Sequence, residues 1–296
     1  MPMTSPPSWI GDAMALGCAV AWAVAVLSFR RLKELDPAAV NLFKNTVATG
    51  LLVLTMIALG MRPDVSRSLS DWAMLAVSGV LGLAVADTLF LAGLRRIDAS
   101  VAAVADCAYS PTVLLLSTVF LGEALAAGLV IGAPLVVLGL LLVSFQPRDG
   151  SRSIDRGGVI LAVAGVVTTA VGVVVAKPAL DRSDLLEATT IRLGAGAVAL
   201  FAYESARGRA REVLALFRPQ PAWRAALAAT FFGTYVSMIL WLGGMKYGTA
   251  SRAALLNQMG AVFVLVLSRL TGEVVPMRRW IGAVLAIVGV VLVLSL

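Results

Sequence analysis

Residues 121–145 read LGEALAAGLVIGAPLVVLGLLLVSF, and residues 271–296 read TGEVVPMRRWIGAVLAIVGVVLVLSL. Each stretch opens on a Gly-Glu pair and carries two further glycines seven residues apart: Gly122-Glu123 with Gly132 and Gly139, then Gly272-Glu273 with Gly282 and Gly289. Each also supplies about twenty apolar residues, enough to cross a hydrocarbon core of about 30 Å at about 1.5 Å per residue. Glycines seven apart share a helix face, and small residues on one face let membrane helices approach closely. The same device occurring twice predicts a duplicated membrane protein.

Working outward, apolar runs fall at about 10–29, 38–60, 71–93, 99–121, 125–145, 157–177, 186–206, 222–245, 250–271 and 279–296. Ten such runs predict an all-α membrane protein, because a helix satisfies its own backbone hydrogen bonds in lipid. The polar stretch Gln146-Pro-Arg-Asp-Gly-Ser-Arg-Ser-Ile-Asp-Arg156 divides them five and five. The expected organisation is a first five-helix repeat over 1–146, a linker over 147–156 and a second repeat over 157–296. A shift of 148 residues aligns Gly17 with Gly165, Asp36 with Asp184, Lys44 with Arg192 and Gly60 with Gly208. Further along, a shift of 151 aligns Gly82 with Gly233, Phe90 with Trp241, Gly93 with Gly244 and Ala99-Ser100 with Ala250-Ser251. Five is odd, so the second half enters the membrane in the opposite sense. Two inverted repeats around a central cavity are thus expected, an arrangement in which similar halves can exchange inward-open and outward-open shapes.

Composition excludes several classes. Apolar residues make up 59% of the chain and charged ones 14%, against about a quarter charged in soluble domains. The net charge of +7 is scattered over short loops without a basic stripe or arm, so a bilayer rather than nucleic acid is the expected partner. Cys18 and Cys107 both lie inside apolar runs and the chain has no histidine, so neither a disulfide nor a metal site is expected. Proton chemistry would fall on carboxylates. With no phosphate-binding loop and no hydrolase nucleophile motif, the chain reads as neither an enzyme nor an ATP-driven pump, and no cofactor is expected. Met1 to Trp9 holds no Lys or Arg, so the first run reads as a retained helix. Sixteen Lys and Arg residues lie in or beside the loops after odd-numbered spans and six on the opposite side. By the positive-inside rule, both termini are expected in the periplasm of a bacterium, with a multi-pass chain in its inner membrane.

The chain resembles the drug/metabolite transporter superfamily, specifically its ten-helix EamA-type branch. The resemblance spans essentially the whole chain and is carried by the five-helix repeat, by Pro111 followed by Leu121-Gly-Glu123, and by the glycines of the fifth and tenth spans. The second half departs from it, with Thr271 in place of the leucine and no proline matching Pro111. The resemblance implies a ten-helix basket around a central cavity that moves metabolites such as amino acids, often outward. Fold alone does not name the substrate.

Ionisable groups within a membrane cost about 2.5–3.5 kcal/mol each on insertion scales and so invite functional hypotheses. Four occur here: Asp87, Asp106, Lys44 and Arg192. Internal pairing or snorkelling is the competing reading. Asp106, Tyr109 and Ser110 form a polar stripe at helical spacing, and Pro111 should free the Cys107 carbonyl beside it. Asp87 and Phe90 share a face, as do their repeat mates Met238 and Trp241 together with Tyr235. Lys44 with Asn45, Arg192, and Asn257 with Gln258 add polar groups to three further spans, and Trp22 adds an aromatic ring face. Leaving aside Pro111, Cys107 and Met238, these residues, thirteen in all, are the candidate substrate contacts, with Asp106 or Asp87 as the candidate proton carrier. Glu123 and Glu273 are expected to cap the fifth and tenth spans.

Cavity groups of both signs suit a zwitterion. The expected function is secondary-active, alternating-access export of a small metabolite such as an amino acid, possible proton coupling included, by a chain working as a monomer. Efflux or uptake of an organic cation or a drug is the rival within that class, and a channel or structural membrane protein the rival outside it.

Overall fold

The computed structural model describes residues 9–32, 34–94, 96–97, 99–144, 155–270, 272 and 275–295. Ten helices among them are long and apolar enough to cross a membrane. Span 1 is Trp9–Phe29 and span 2 Pro37–Ala58; span 3 runs Leu69–Gly79, Val80–Val85 and Ala86–Leu94. Span 4 is built of Ala99–Asp106 and Tyr109–Leu116, extended by Ser117–Leu121, and span 5 is Ala127–Ser144. In the second half come span 6 (Arg156–Arg182), span 7 (Leu185–Ala206), span 8 (Trp223–Thr230, Phe231–Val236 and Ser237–Tyr247), span 9 (Ala250–Asn257 and Gly260–Leu270) and span 10 (Met277–Ser295). Exposed apolar side chains such as Ile57, Phe120, Ile131, Val198 and Ile281 give the bundle an outer surface suited to lipid.

Local chemistry repeats between the halves. Asp36 caps span 2 by accepting from the Ala39 N–H at 3.2 Å, and its repeat mate Asp184 caps span 7 by accepting from Leu186 at 2.8 Å. Gly60 and Gly208, just beyond the ends of these two helices, have φ of 65° and 75°, a left-handed conformation that a Cβ disfavours. Val80–Val85 in span 3 and Phe231–Val236 in span 8 both widen into a π-helical turn. Spans 4 and 9 break at matched places, after Asp106 and after its mate Asn257. Pro111 explains the first break, because it cannot donate to the Cys107 carbonyl. Span 9 breaks without a proline.

Packing follows the repeat. Spans 2 and 7, 4 and 9, and 5 and 10 each touch their own mates and surround the pseudo-twofold axis, while span 3 packs on span 6 as span 8 packs on span 1. At the span 5–10 crossing a Cβ on Gly132 would sit 2.5 Å from the Gly289 carbonyl oxygen, and one on Gly139 2.5 Å from that of Gly282. Backbone fills the place a side chain would need, which is how small residues bring membrane helices together.

Two expectations change. Span 6 does not end at 177 but continues through Pro178 to Arg182. Lys177 holds Asp181 one turn on at 2.6 Å, and Arg182 ion-pairs with Asp71 of span 3, so side-chain contacts support the turn that proline weakens. Glu123 does not cap span 5. Its carboxylate accepts from the Ala250 N–H at 2.7 Å, the Ser251 N–H at 3.1 Å and the Ser251 hydroxyl at 2.6 Å, at the start of span 9. The favourable interaction of a carboxylate with a helix N-terminus holds, but across the repeat boundary. Glu273 lies outside the described residues. Glu123→Ala is expected to lower stability by about 1–3 kcal/mol, because it strands these donors, and Glu123→Gln by less. Thermal melting of the full chain in detergent checks this; an unchanged midpoint for Glu123→Ala refutes it.

Candidate functional site

A cavity of about 580 Å³ lies between the halves, lined by residues of spans 1 to 10. It extends from Arg192 and Trp241 past the broken turns of spans 4 and 9 to Ser144, Ser268 and Arg279, at the face where spans 5, 9 and 10 meet the loops after odd-numbered spans. The opposite face carries ion pairs between spans. There Arg67 of the loop after span 2 meets Glu187 of span 7 at 2.6 Å, and Arg252 of span 9 meets Asp12 of span 1 at 2.7 Å. Arg182 with Asp71 and Glu123 with the start of span 9 complete these ties, and none of their side chains lines the cavity.

Nine of the thirteen candidates line the cavity: Trp22, Lys44, Asp87, Asp106, Tyr109, Arg192, Trp241, Asn257 and Gln258. Lys44 Nζ stands 3.5 Å from Asp87 Oδ2, an internal pair of the kind weighed above. Asp106, by contrast, has its side chain exposed to the cavity and in no ion pair among the described residues. The Tyr109 and Trp241 rings lie 6.4 Å apart, and the Arg192 guanidinium carbon lies 5.4 Å from the Trp241 ring centroid. Gln258 bridges the halves at the broken turn: its Nε2 donates to the Asp106 carbonyl at 2.8 Å and its Oε1 accepts from the Ser110 hydroxyl at 2.6 Å. The carbonyl engaged there is Asp106's, one residue before the expected Cys107.

Four candidates lie elsewhere. Ser110 is fully buried on Gln258, and therefore does not support the Asp106 carboxylate. Asn45 donates to the Asn41 carboxamide at 3.2 Å, within a buried chain that runs on to the Leu83 carbonyl. Phe90 packs on span 6, where a Cβ at Gly165 would lie 2.9 Å from its own. Tyr235 hydrogen-bonds Thr55 at 2.7 Å. It sits in the π-helical turn of span 8, whose extra residue rotates it away from the face that regular helical spacing assigns to it with Met238 and Trp241.

Residues 9–145 and 156–295 each match the EamA-like transporter family, which accounts for nearly the whole chain. The chain belongs to the EamA-like transporter family. It is therefore a membrane transporter of small molecules, not an enzyme. Three relatives are similar to it. A probable terminal-alkyne amino-acid exporter of Streptantibioticus cattleyicolor is 27% identical over 280 residues, 93% of this chain and 90% of that protein. The uncharacterized transporter YyaM of Bacillus subtilis is 25% identical over 256 residues, 82% and 79% of the two chains. An uncharacterized transporter of Archaeoglobus fulgidus is 26% identical over 181 residues, 61% of this chain and 63% of its own length. A solved crystal structure shares the fold with a TM-score of 0.77 over 95% of each chain at 18% identity.

In this EamA transporter the cavity also takes residues that sequence reasoning passed over. Ser237 lies four residues before Trp241 in the same α-helix, so helical spacing could have shown it, whereas Thr234 sits in the π-helical turn where regular spacing assigns no reliable face. By sequence Arg279 is one of the loop cations, yet it lines the cavity at the start of span 10. Cys18 and Thr169, on spans 1 and 6, carried no charge to mark them.

Proposed function

We propose that this protein is a secondary-active, alternating-access transporter that exports a small zwitterionic metabolite, an amino acid or a close relative, across a bacterial inner membrane. The carrying observation is one small cavity that is lined by both Asp106 and Arg192 and by residues near one face, and by none of the ion-paired residues of the other. Its volume is in the range of small-ligand sites, about 300–1,000 Å³. Groups of both signs suit a zwitterion, and the ion-paired opposite face favours alternating access over a channel. The Streptantibioticus relative, a probable amino-acid exporter, supports the same substrate class. Asp106 is the candidate proton carrier.

Counterflow in proteoliposomes with a panel of amino acids, aliphatic and aromatic amines and quaternary ammonium ions tests the reading. Saturable exchange of one or more amino acids is expected. Exchange confined to organic cations, or ion conductance independent of substrate, would overturn it.

A further inference from the structure

The halves differ where they should match. Lys44 and Arg192 are repeat mates, and so are Asp87 and Met238. In the first half Lys44 lies 3.5 Å from Asp87. In the second, the position that would supply the counter-ion of Arg192 holds a thioether. Arg192 is only 1% exposed, yet its Nε, Nη1 and Nη2 find no acceptor among the described residues. The Trp241 ring centroid, 5.4 Å from the guanidinium carbon, offers a cation–π contact but no hydrogen-bond acceptor for the N–H groups. The Tyr109 hydroxyl and the Trp241 indole N–H, beside it, also lack a hydrogen bond of normal geometry. All three side chains line the cavity. A buried donor without an acceptor is costly, and a buried unpaired cation more so.

We propose that Arg192, Tyr109 and Trp241 form a carboxylate subsite at the deep end of the cavity, and that the carboxylate, more than the amine, is what the protein requires of its ligand. The proposal rests on the transport reading above and adds the ligand's orientation. A planar carboxylate accepts two parallel N–H bonds from a guanidinium and still offers lone pairs to a hydroxyl or an indole. The requirement is unequal at the two ends. Arg192 is buried at the cavity wall with no acceptor among the described residues, so an acceptor brought by the ligand meets its largest need, whereas the exposed Asp106 carboxylate stays solvated without one. An ammonium near Asp106 or the unpartnered Asn257 Oδ1 adds affinity without being obligatory.

The test is thermal stabilisation of the purified full chain by three sets of probes. One set is the twenty L-amino acids with the amine-free acids 3-phenylpropionate and 3-methylbutanoate; the others are the acid-free amines 2-phenylethylamine and isobutylamine, and sodium sulfate. At least one acid is expected to stabilise, with apparent affinity about tenfold or more above its matched amine and above sulfate. Arg192→Met should melt no lower than wild type without ligand, since it breaks no internal pair, and should lose the response to acids. Tyr109→Phe and Trp241→Phe, which keep the charge, should each weaken acid binding about three- to tenfold, and they carry the test if Arg192→Met does not fold. The proposal falls if no acid stabilises, if amines or sulfate match the acids, if folded Arg192→Met melts lower or binds acids normally, or if both ring variants bind normally. Acid binding without counterflow would instead sink the transport reading and leave the subsite standing; counterflow of amines alone would do the reverse.

Discussion

In Asp106→Asn protein, substrate exchange between equal pools is expected to continue near the wild-type rate, while accumulation driven by a pH difference is lost. A proton moving down one pH unit supplies about 1.4 kcal/mol, enough for tenfold accumulation of a substrate exchanged one for one, so that factor should collapse to about one. Asp106 is favoured over Asp87 on geometry. Asp87 already faces Lys44 at 3.5 Å, so a proton arriving there must displace an internal cation. Asp106 faces the cavity and pairs with no cation among the described residues. Asparagine keeps its shape and removes its titration. The repeat mate Asn257 already holds that amide, so only one half would carry the proton. Reconstitution with an imposed pH gradient reads the result. Wild-type transport indifferent to the gradient, or Asp106→Asn that accumulates substrate normally, would remove the role, and Asp87→Asn run alongside shows whether that carboxylate carries it instead.

Two glycines three residues apart should behave very differently. A Cβ on Gly79 would meet the backbone carbonyl of Arg192, a contact that no side-chain motion relieves, so spans 3 and 7 must separate. A Cβ on Gly82 would meet only Arg192 Nη2 at 3.5 Å, an ordinary contact. Gly79→Ala is therefore expected to destabilise by about 1–3 kcal/mol, as overpacking does. It should also cut transport by about tenfold or more, since displacing span 7 moves the guanidinium it carries and shifts of about 1 Å in a positioning group are felt strongly. Gly82→Ala should change stability by less than about 0.5 kcal/mol, the range for substitutions that meet no obstacle. Melting curves and uptake rates of the two variants decide it. Equal tolerance at both sites would show that spans 3 and 7 do not pack as described.

Much of the scaffold was legible because its signals are local. Gly60 and Gly208, matched by the repeat, both prove to be left-handed residues following helices; Asp36 and Asp184 both prove to be caps. Of the site, the charged and aromatic residues were visible because a polar group in a lipid-length run stands out. Their pairings were not. That Lys44 meets Asp87 while Arg192 meets no carboxylate depends on how spans 2, 3, 7 and 8 cross. Helical spacing places Ser110 and Glu123 in their own neighbourhoods, yet both act across the repeat, on Gln258 and on the start of span 9.

The ten spans, the duplication and the family can be read from the residues alone, because hydrophobic length, glycine spacing and helix caps follow from residue chemistry within a turn or two of chain. It takes the packed helices to show that one face is tied by Arg67–Glu187 and Arg252–Asp12, that Tyr235 bonds Thr55 away from the cavity lining, and that Arg279 lines the cavity. Such outcomes depend on crossings between distant helices and on π-helical turns that rotate a face by one residue, which regular periodicity along a single helix does not register.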